Sequence, residues 1–178
     1  MNNSLISVRY AKALFLLSKE KGQVENVYKD MTMLWDYCNN TEEFNELLKS
    51  PVITPSKKKK ALKNIFDKYV SDLTMNFLNI MVDNRRELML ASIARNYVDF
   101  YKEEKNIKSV SLYTAFALDE DYLLAIKELL HKELGSQIEL TVRVRDNLIG
   151  GFILMVDGKM MDATVANKLK QIKKRLLS

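Results

Sequence analysis

Residues 144–163 read VRDNLIGGFILMVDGKMMDA. A double glycine, Gly150-Gly151, stands in an apolar run, and Asp157-Gly158, Lys159 and Asp162 follow it. Such a stretch is either a phosphate-cradling loop or a piece of sheet. A dinucleotide-binding loop needs G-x-G-x-x-G leading from a strand into a helix, and here the chain leaves the glycines as FILMV, a strand-like run. A P-loop needs Ser or Thr after Gly-Lys to reach magnesium, and Met160 stands there. Both phosphate readings fail. The glycines are therefore assigned to a strand or bulge where side chains would block close backbone approach, Asp157-Gly158 to a hairpin turn, and Asp162 to a helix N-cap. All five residues are structural in this reading.

Working outward, the rest of the second half alternates. Val110, Leu112, Thr114 and Phe116 recur at period two, as do Ile138, Leu140, Val142 and Val144. Between them lies a helical segment opened by Asp119 and closed by Gly135. Residues 149–156 read as a further strand and 159–161 as its short return. A last helix, opening at Asp162, is expected to bury Val165, Leu169, Ile172 and Leu176. Residues 106–178 thus read as a small α+β domain with a short-stranded sheet.

Residues 1–105 have a different grammar. Helical segments run over 4–20, 23–38, a short stretch capped by Thr41, a stretch opened by Thr54-Pro55, 71–83 and 86–104. Gly22 closes the first, and Pro55 sits at a first helical position where its missing N–H costs nothing. The fold class is mainly α, an N-terminal six-helix bundle followed by the α+β domain.

Composition narrows the function. At 178 residues with 47 % apolar side chains the chain can bury a genuine core. A single cysteine, Cys38, excludes an internal disulfide, and a single histidine, His131, leaves no zinc cluster. No cofactor is expected. The apolar run Ala13–Leu17 is too short for a signal peptide, no segment approaches a membrane span, and the absence of an organellar leader points to a bacterial protein. The net charge of +5 is concentrated at Lys159, Lys168, Lys170, Lys173, Lys174 and Arg175, which reads as a solvated helix face. The lysine run 57–60 reads likewise, and Trp35 and Tyr37 read as core. A basic nucleic-acid-binding adaptor is the alternative reading, but no RNP, KH or zinc signature supports it. An enzyme built on His131 has no partner group to support it.

Two helices are greasier than one packing contact requires. On the first, Ile6, Tyr10, Ala13, Leu14 and Leu17 fall on one side and Val8, Ala11 and Phe15 on another, separated by Ser7 and Ser18, so the apolar arc spans roughly 220° where about 100° suffices. On the fifth, Leu73, Met75, Phe77, Leu78, Ile80, Met81 and Val82 cover a similar arc. Either both helices are central, or together they line a groove for a partner's amphipathic helix.

Three blocks carry a resemblance: RYAKALFLLSKEKG (9–22), LLKSPVITPSKKKKAL with NFLNIMVDNRR (47–62 and 76–86), and LIGGFILMVDGKMMDATVANKL (148–169). Together they resemble the delta subunits of F-type ATP synthases, the oligomycin-sensitivity-conferring proteins of mitochondria. The family's Asp before L-I-G-G is Arg145 here, and its late Gly-Ser is Ala163-Thr164. The resemblance implies a non-catalytic stator part, one copy per complex, at the cytoplasmic side of a bacterial inner membrane and touching that membrane only through the complex. It implies that the first and fifth helices receive the alpha subunit's N-terminal helix, with Val8, Ala11, Phe15, Met75, Leu78 and Val82 as the facing residues. It implies that residues 106–178 hold the C-terminal end of the peripheral-stalk b subunit through Ile153, Met155, Leu169 and Ile172. No nucleic acid is expected as a partner.

Overall fold

The computed structural model describes residues 2–176, which are mainly helical with a small four-stranded sheet. The chain divides between Tyr101 and Lys102 into two compact units.

The first unit contains α1 (Asn2–Glu20), α2 (Val24–Asn40), α3 (Glu42–Lys49), α4 (Pro55–Phe66), α5 (Asp72–Asp83), a 3₁₀ turn (Glu87–Met89) and most of α6 (Leu90–Glu104). Their apolar faces share one core, in which Met31, Leu34, Leu62, Phe66, Leu78, Met81, Leu90, Ile93 and Tyr97 are essentially sealed. Phe66 stands edge-on to Phe44 of α3 and Tyr37 of α2, at 5.7 and 5.2 Å between ring centroids, so three helices are keyed together by aromatic rings. Burial also pushes the Cys38 thiol up to about 11, which keeps it protonated and unreactive.

Several polar groups inside this unit are paired across long sequence distances, while Oε2 of the buried Glu87 has no hydrogen-bond partner. The carboxylate of Asp30, buried on α2, accepts hydrogen bonds from Ser71 N (2.9 Å), Ser71 Oγ (2.7 Å) and Thr74 Oγ1 (2.7 Å). Ser71 is itself the N-cap of α5 and accepts from Thr74 N. A negative charge is thereby fixed at the positive end of the α5 dipole. Within the lysine run expected to be solvated, Lys58 is buried and donates to Glu87 Oε1 and to the Leu48 carbonyl, both at 2.6 Å. The run opens α4, and one turn of that helix points its second lysine inward, where a carboxylate and a carbonyl compensate the buried charge. Trp35 and Tyr37, expected in the core, are both 39 % exposed, because α2 turns Met31, Leu34 and Cys38 inward instead; the Tyr37 ring still packs on Phe44 and Phe66.

The second unit holds β1 (Ile107–Thr114), α7 (Glu120–Leu134), β2 (Gln137–Val144), β3 (Phe152–Val156), β4 (Lys159–Asp162) and α8 (Val165–Leu176). The sheet order is β2-β1-β3-β4. β1 and β2 run parallel with Val110 opposite Leu140 and Leu112 opposite Val142, which requires the α7 crossover between them. β3 runs antiparallel to β1, with Leu112 opposite Leu154. Val110, Leu112 and Ile138 are the buried apolar residues of the sheet, on the face toward α7. Phe116 was expected to continue this alternation, but β1 stops at Thr114, whose hydroxyl donates to the Phe116 carbonyl at 2.7 Å and turns the chain away.

The glycine pair lies just before β3 rather than inside a strand. Gly151 has φ +81°, and a Cβ there would lie 2.4 Å from the Ala163 carbonyl oxygen, so backbone meets backbone and no side chain fits. Asp157 and Gly158, at φ +47° and +80°, form the two-residue turn between Val156 and Lys159. Asp162 does not cap α8 directly. Thr164 is the cap: its hydroxyl accepts from Asn167 N at 3.2 Å, while Asp162 Oδ1 accepts from Thr164 N (2.9 Å) and Thr164 Oγ1 (2.7 Å). The Thr164 hydroxyl, then its amide, hold the Asp162 carboxyl below its ordinary range.

Asp30→Ala strands three donors at the start of α5. The expected cost is about 3 kcal/mol in urea unfolding, with the far-ultraviolet spectrum retained. A shift in midpoint worth less than about 0.5 kcal/mol would show that the carboxylate does not anchor α5.

Candidate partner-binding surface

On α1 the deepest stripe is Ser7, Ala11, Leu14, Phe15 and Ser18. The two serines, which separate the apolar arcs on a helical wheel, are the seam facing α6. Asn96 Nδ2 donates to Ser7 Oγ at 3.2 Å, and Ser18 Oγ lies 2.7 Å from the Tyr97 hydroxyl. Phe15 packs against Tyr97 and Phe100, at 5.5 and 6.2 Å between ring centroids. Ser7 and Ser18 thus each find a hydrogen-bond partner on α6, and Ser18 Oγ also donates to the Phe15 carbonyl of its own helix at 2.8 Å.

That packing leaves a flank of α1 only partly covered. Ile6 and Tyr10 are half-buried, Ala13 is exposed, and Leu17 is 39 % exposed. These four residues recur at spacings of four, three and four and share one side of the helix. The flank leads to α5: the Tyr10 ring stands edge-on to Phe77, with centroids 6.4 Å apart and planes at 63°. Beyond Phe77, Ile80 is 49 % exposed on the outer side of α5. Arg86, three residues past the end of α5, donates from Nη1 to the Tyr10 hydroxyl at 2.5 Å, with its guanidinium carbon 5.2 Å from the Tyr10 ring centroid. The result is an apolar strip running over two helices, with a cation at the Tyr10 contact.

Of the residues expected to face a partner, the structure encloses four. Ala11, Phe15, Leu78 and Val82 are buried in their own chain's core, Ala11 and Leu78 completely, so they have no side-chain surface to offer. Val8 is exposed and Met75 half-buried. The expected arc is the one that α6 and the remaining core helices cover; a wheel gives the width of an apolar arc but not which half the fold uses. Tyr10, Ala13 and Leu17 already stood on the other arc, and Phe77 and Ile80 belonged to the wide arc of α5.

In the second unit, Ile153 and Met155 are half-buried on β3, on the sheet face that also carries Ser111 and Tyr113 of β1. Arg145 stacks its guanidinium on Tyr113 at 3.9 Å. Glu139 is held below the usual carboxylate range chiefly by its bond to Lys102. The expectation that α8 buries its apolar stripe is corrected: Leu169 is 61 % exposed, and Val165 is 42 % exposed although its Cγ2 lies against Gly150. The side chains of Ile172 and Leu176 lie outside the described residues. His131 Nδ1 is bound to the Ser136 carbonyl at 2.7 Å, a helix-end contact. Among the described residues there is no group of metal-binding side chains, and no helix is long and apolar enough to cross a membrane.

The family model for the ATP synthase delta (OSCP) subunit matches residues 6–176. The chain belongs to the ATP synthase delta (OSCP) family. It is 37 % identical over 177 residues to ATP synthase subunit delta of Parabacteroides distasonis, covering 99 % of this chain and 98 % of that one. It is 32 % identical over 176 residues to the subunit delta of Syntrophomonas wolfei, covering 99 % and 97 %. Its fold superposes with a TM-score of 0.76 on a chain of the cryo-EM structure of the Toxoplasma gondii mitochondrial ATP synthase hexamer, at 29 % identity and 97 % coverage of both chains. The delta family is one of non-catalytic coupling subunits, which sets aside the nucleic-acid adaptor and the His131 enzyme.

The two arcs of this delta-family chain should separate in stability measurements. Leu78→Ala should cost about 3 kcal/mol, a buried leucine leaving a cavity, and Ile80→Ser or Leu17→Ser about 1 kcal/mol, since each is partly exposed. Equal losses at Leu78 and Ile80 in denaturant unfolding would contradict the assignment of faces.

Proposed function

We propose that this delta-family chain is a stator subunit, fixing the alpha/beta catalytic head to the peripheral b stalk so that ion-driven rotation of the shaft is converted to ATP synthesis. Without such a tether the head would turn with the shaft, and the torque would be lost. Residues 1–105 act as a six-helix bundle that receives the N-terminal helix of an alpha subunit, and residues 106–178 hold the C-terminal end of the b subunit. One copy serves each complex, on the cytoplasmic side of a bacterial inner membrane, with membrane contact only through the other subunits.

One observation carries this reading: after their own core is complete, α1 keeps a partly exposed apolar flank and α5 keeps Ile80 half exposed beside it. Ile6, Tyr10, Ala13 and Leu17 on α1 and Ile80 on α5 lie either side of the Tyr10–Phe77 contact. An amphipathic helix laid along them presents its own residues at helical spacing to match. Leu17 and Ile80 are the anchors, since each is a large apolar side chain with surface to lose. Val8 and Met75, from the arc expected to face the partner, are exposed and half-buried on the same two helices. For the b stalk, α8 offers Leu169 and Val165, exposed apolar residues among Lys168, Lys170, Lys173 and Lys174, with Ile153 and Met155 on the sheet as second choices.

The test is binding of a synthetic peptide carrying the alpha subunit's N-terminal segment from the same genome, by titration calorimetry. Leu17→Asp with Ile80→Asp should weaken it by about 100-fold or more while the circular dichroism spectrum is unchanged. Retained affinity in the double variant would contradict the site.

A further inference from the structure

The apolar flank between α1 and α5 ends at a cation whose placement the core does not require. The chain after α5 turns back through Asn84 and Arg85, the latter with φ +55°. Arg85 N bonds to the Val82 carbonyl (3.0 Å) and Arg86 N to the Met81 carbonyl (2.8 Å), which close the helix and send Arg86 toward α1. There its guanidinium meets Tyr10 twice, as hydrogen-bond donor to the hydroxyl and as a cation beside the ring.

Each acid that flanks Arg86 in sequence has a lysine partner, although the buried Oε2 of Glu87 has no hydrogen-bond partner. Asp83 pairs with Lys59 at 2.5 Å, and Glu87 pairs with Lys58 at 2.6 Å, so α4 supplies a lysine to each. No carboxylate pairs with Arg86 among the described residues. A guanidinium has five N–H donors in a planar fork, and one is spent on Tyr10. The remaining edge is held half-buried by Tyr10, at the contact on which the apolar strip converges. A cation fixed in direction and left without a counter-charge matches a carboxylate that arrives from outside.

We infer that Arg86 is a specificity residue of the α1/α5 site, pairing with an acidic side chain on the incoming amphipathic helix, so that apolar contacts supply the area and the Arg86–carboxylate pair sets register and direction. This rests on the reading of α1 and α5 as the alpha-subunit site and deepens it. The occupant is an amphipathic helix bearing an Asp or Glu beside its apolar stripe. Tyr10 acts as the positioning residue, since it holds the guanidinium by ring and hydroxyl.

The experiment titrates the alpha-subunit N-terminal peptide into the intact chain at low and at about 200 mM salt, for wild type, Arg86→Gln and Arg86→Lys. Arg86→Gln should bind about 10-fold more weakly and lose most of the salt dependence, and Arg86→Lys should recover the salt dependence but only part of the affinity. In the peptide, replacing one particular Asp or Glu by its amide should reproduce the loss with wild type and add nothing further with Arg86→Gln. An Arg86→Gln affinity within about twofold of wild type, or no amide peptide with weakened binding, would overturn the pairing while leaving the site intact. The amide peptides decide the matter on the wild-type chain even if Arg86→Gln misfolds. No binding of the unmodified peptide to wild type would overturn the site and the pairing together.

Discussion

A helix with apolar side chains over roughly 220° of its circumference cannot bury them all against one neighbour, since a single packing contact covers about 100°. That geometric surplus on α1 and α5 organises the first unit. On α1 the core takes the stripe centred on Ser7, Ala11 and Ser18, whose two serines bond to Asn96 and Tyr97 of α6. What is left over is Ile6, Tyr10, Ala13 and Leu17, joined to α5 by the Tyr10–Phe77 ring contact. Surplus apolar surface of this kind on a delta-family subunit is what a structural tether needs, area for a partner helix.

The scaffold's rigidity has identifiable sources. Asp30 pins the start of α5 from α2, and Lys58 with Glu87 pins the segment after α5 from α4. Both ends of α5 are thus held by buried, hydrogen-bonded charges, whose direction cannot slip without leaving a donor or a charge unpaired. A helix gripped at both ends keeps Phe77 and Ile80 in a set orientation toward α1. The Thr164–Asp162 arrangement does the same for α8, fixing where that basic, outward-facing helix begins.

Much of this was legible in the residues. Helix starts and stops came from local chemistry, as at Thr54-Pro55 and Gly135, and local chemistry acts over a turn or two. The strand pairs β1 and β2 came from alternation, and the failure of both phosphate-loop patterns came from Met160 and from the strand after Gly151. What local pattern could not show is which half of a wide arc the core uses. That depends on Tyr97 and Phe100, which claim Phe15 from a helix far along the chain. Lys58 was hidden for the same reason: nothing near residues 57–60 announces that Glu87 waits for one of four lysines. Arg86 could have been noticed as a basic pair following a helix, but its partner Tyr10 lies in another block of the sequence. The exposure of Leu169 contradicts the reading of α8 as inward-facing, because an amphipathic period says that a helix has an apolar side, not that its own chain covers it.

The central claim is that the partly exposed flank between α1 and α5 is the docking surface, and mapping of amide and methyl chemical shifts on the intact chain tests it most directly. On saturation with the alpha-subunit N-terminal peptide, the account predicts the largest changes at Tyr10, Ala13, Leu17, Phe77 and Ile80, on one continuous strip. Changes centred instead on Val8, Phe15 and Val82, with Leu17 and Ile80 unmoved, would contradict it.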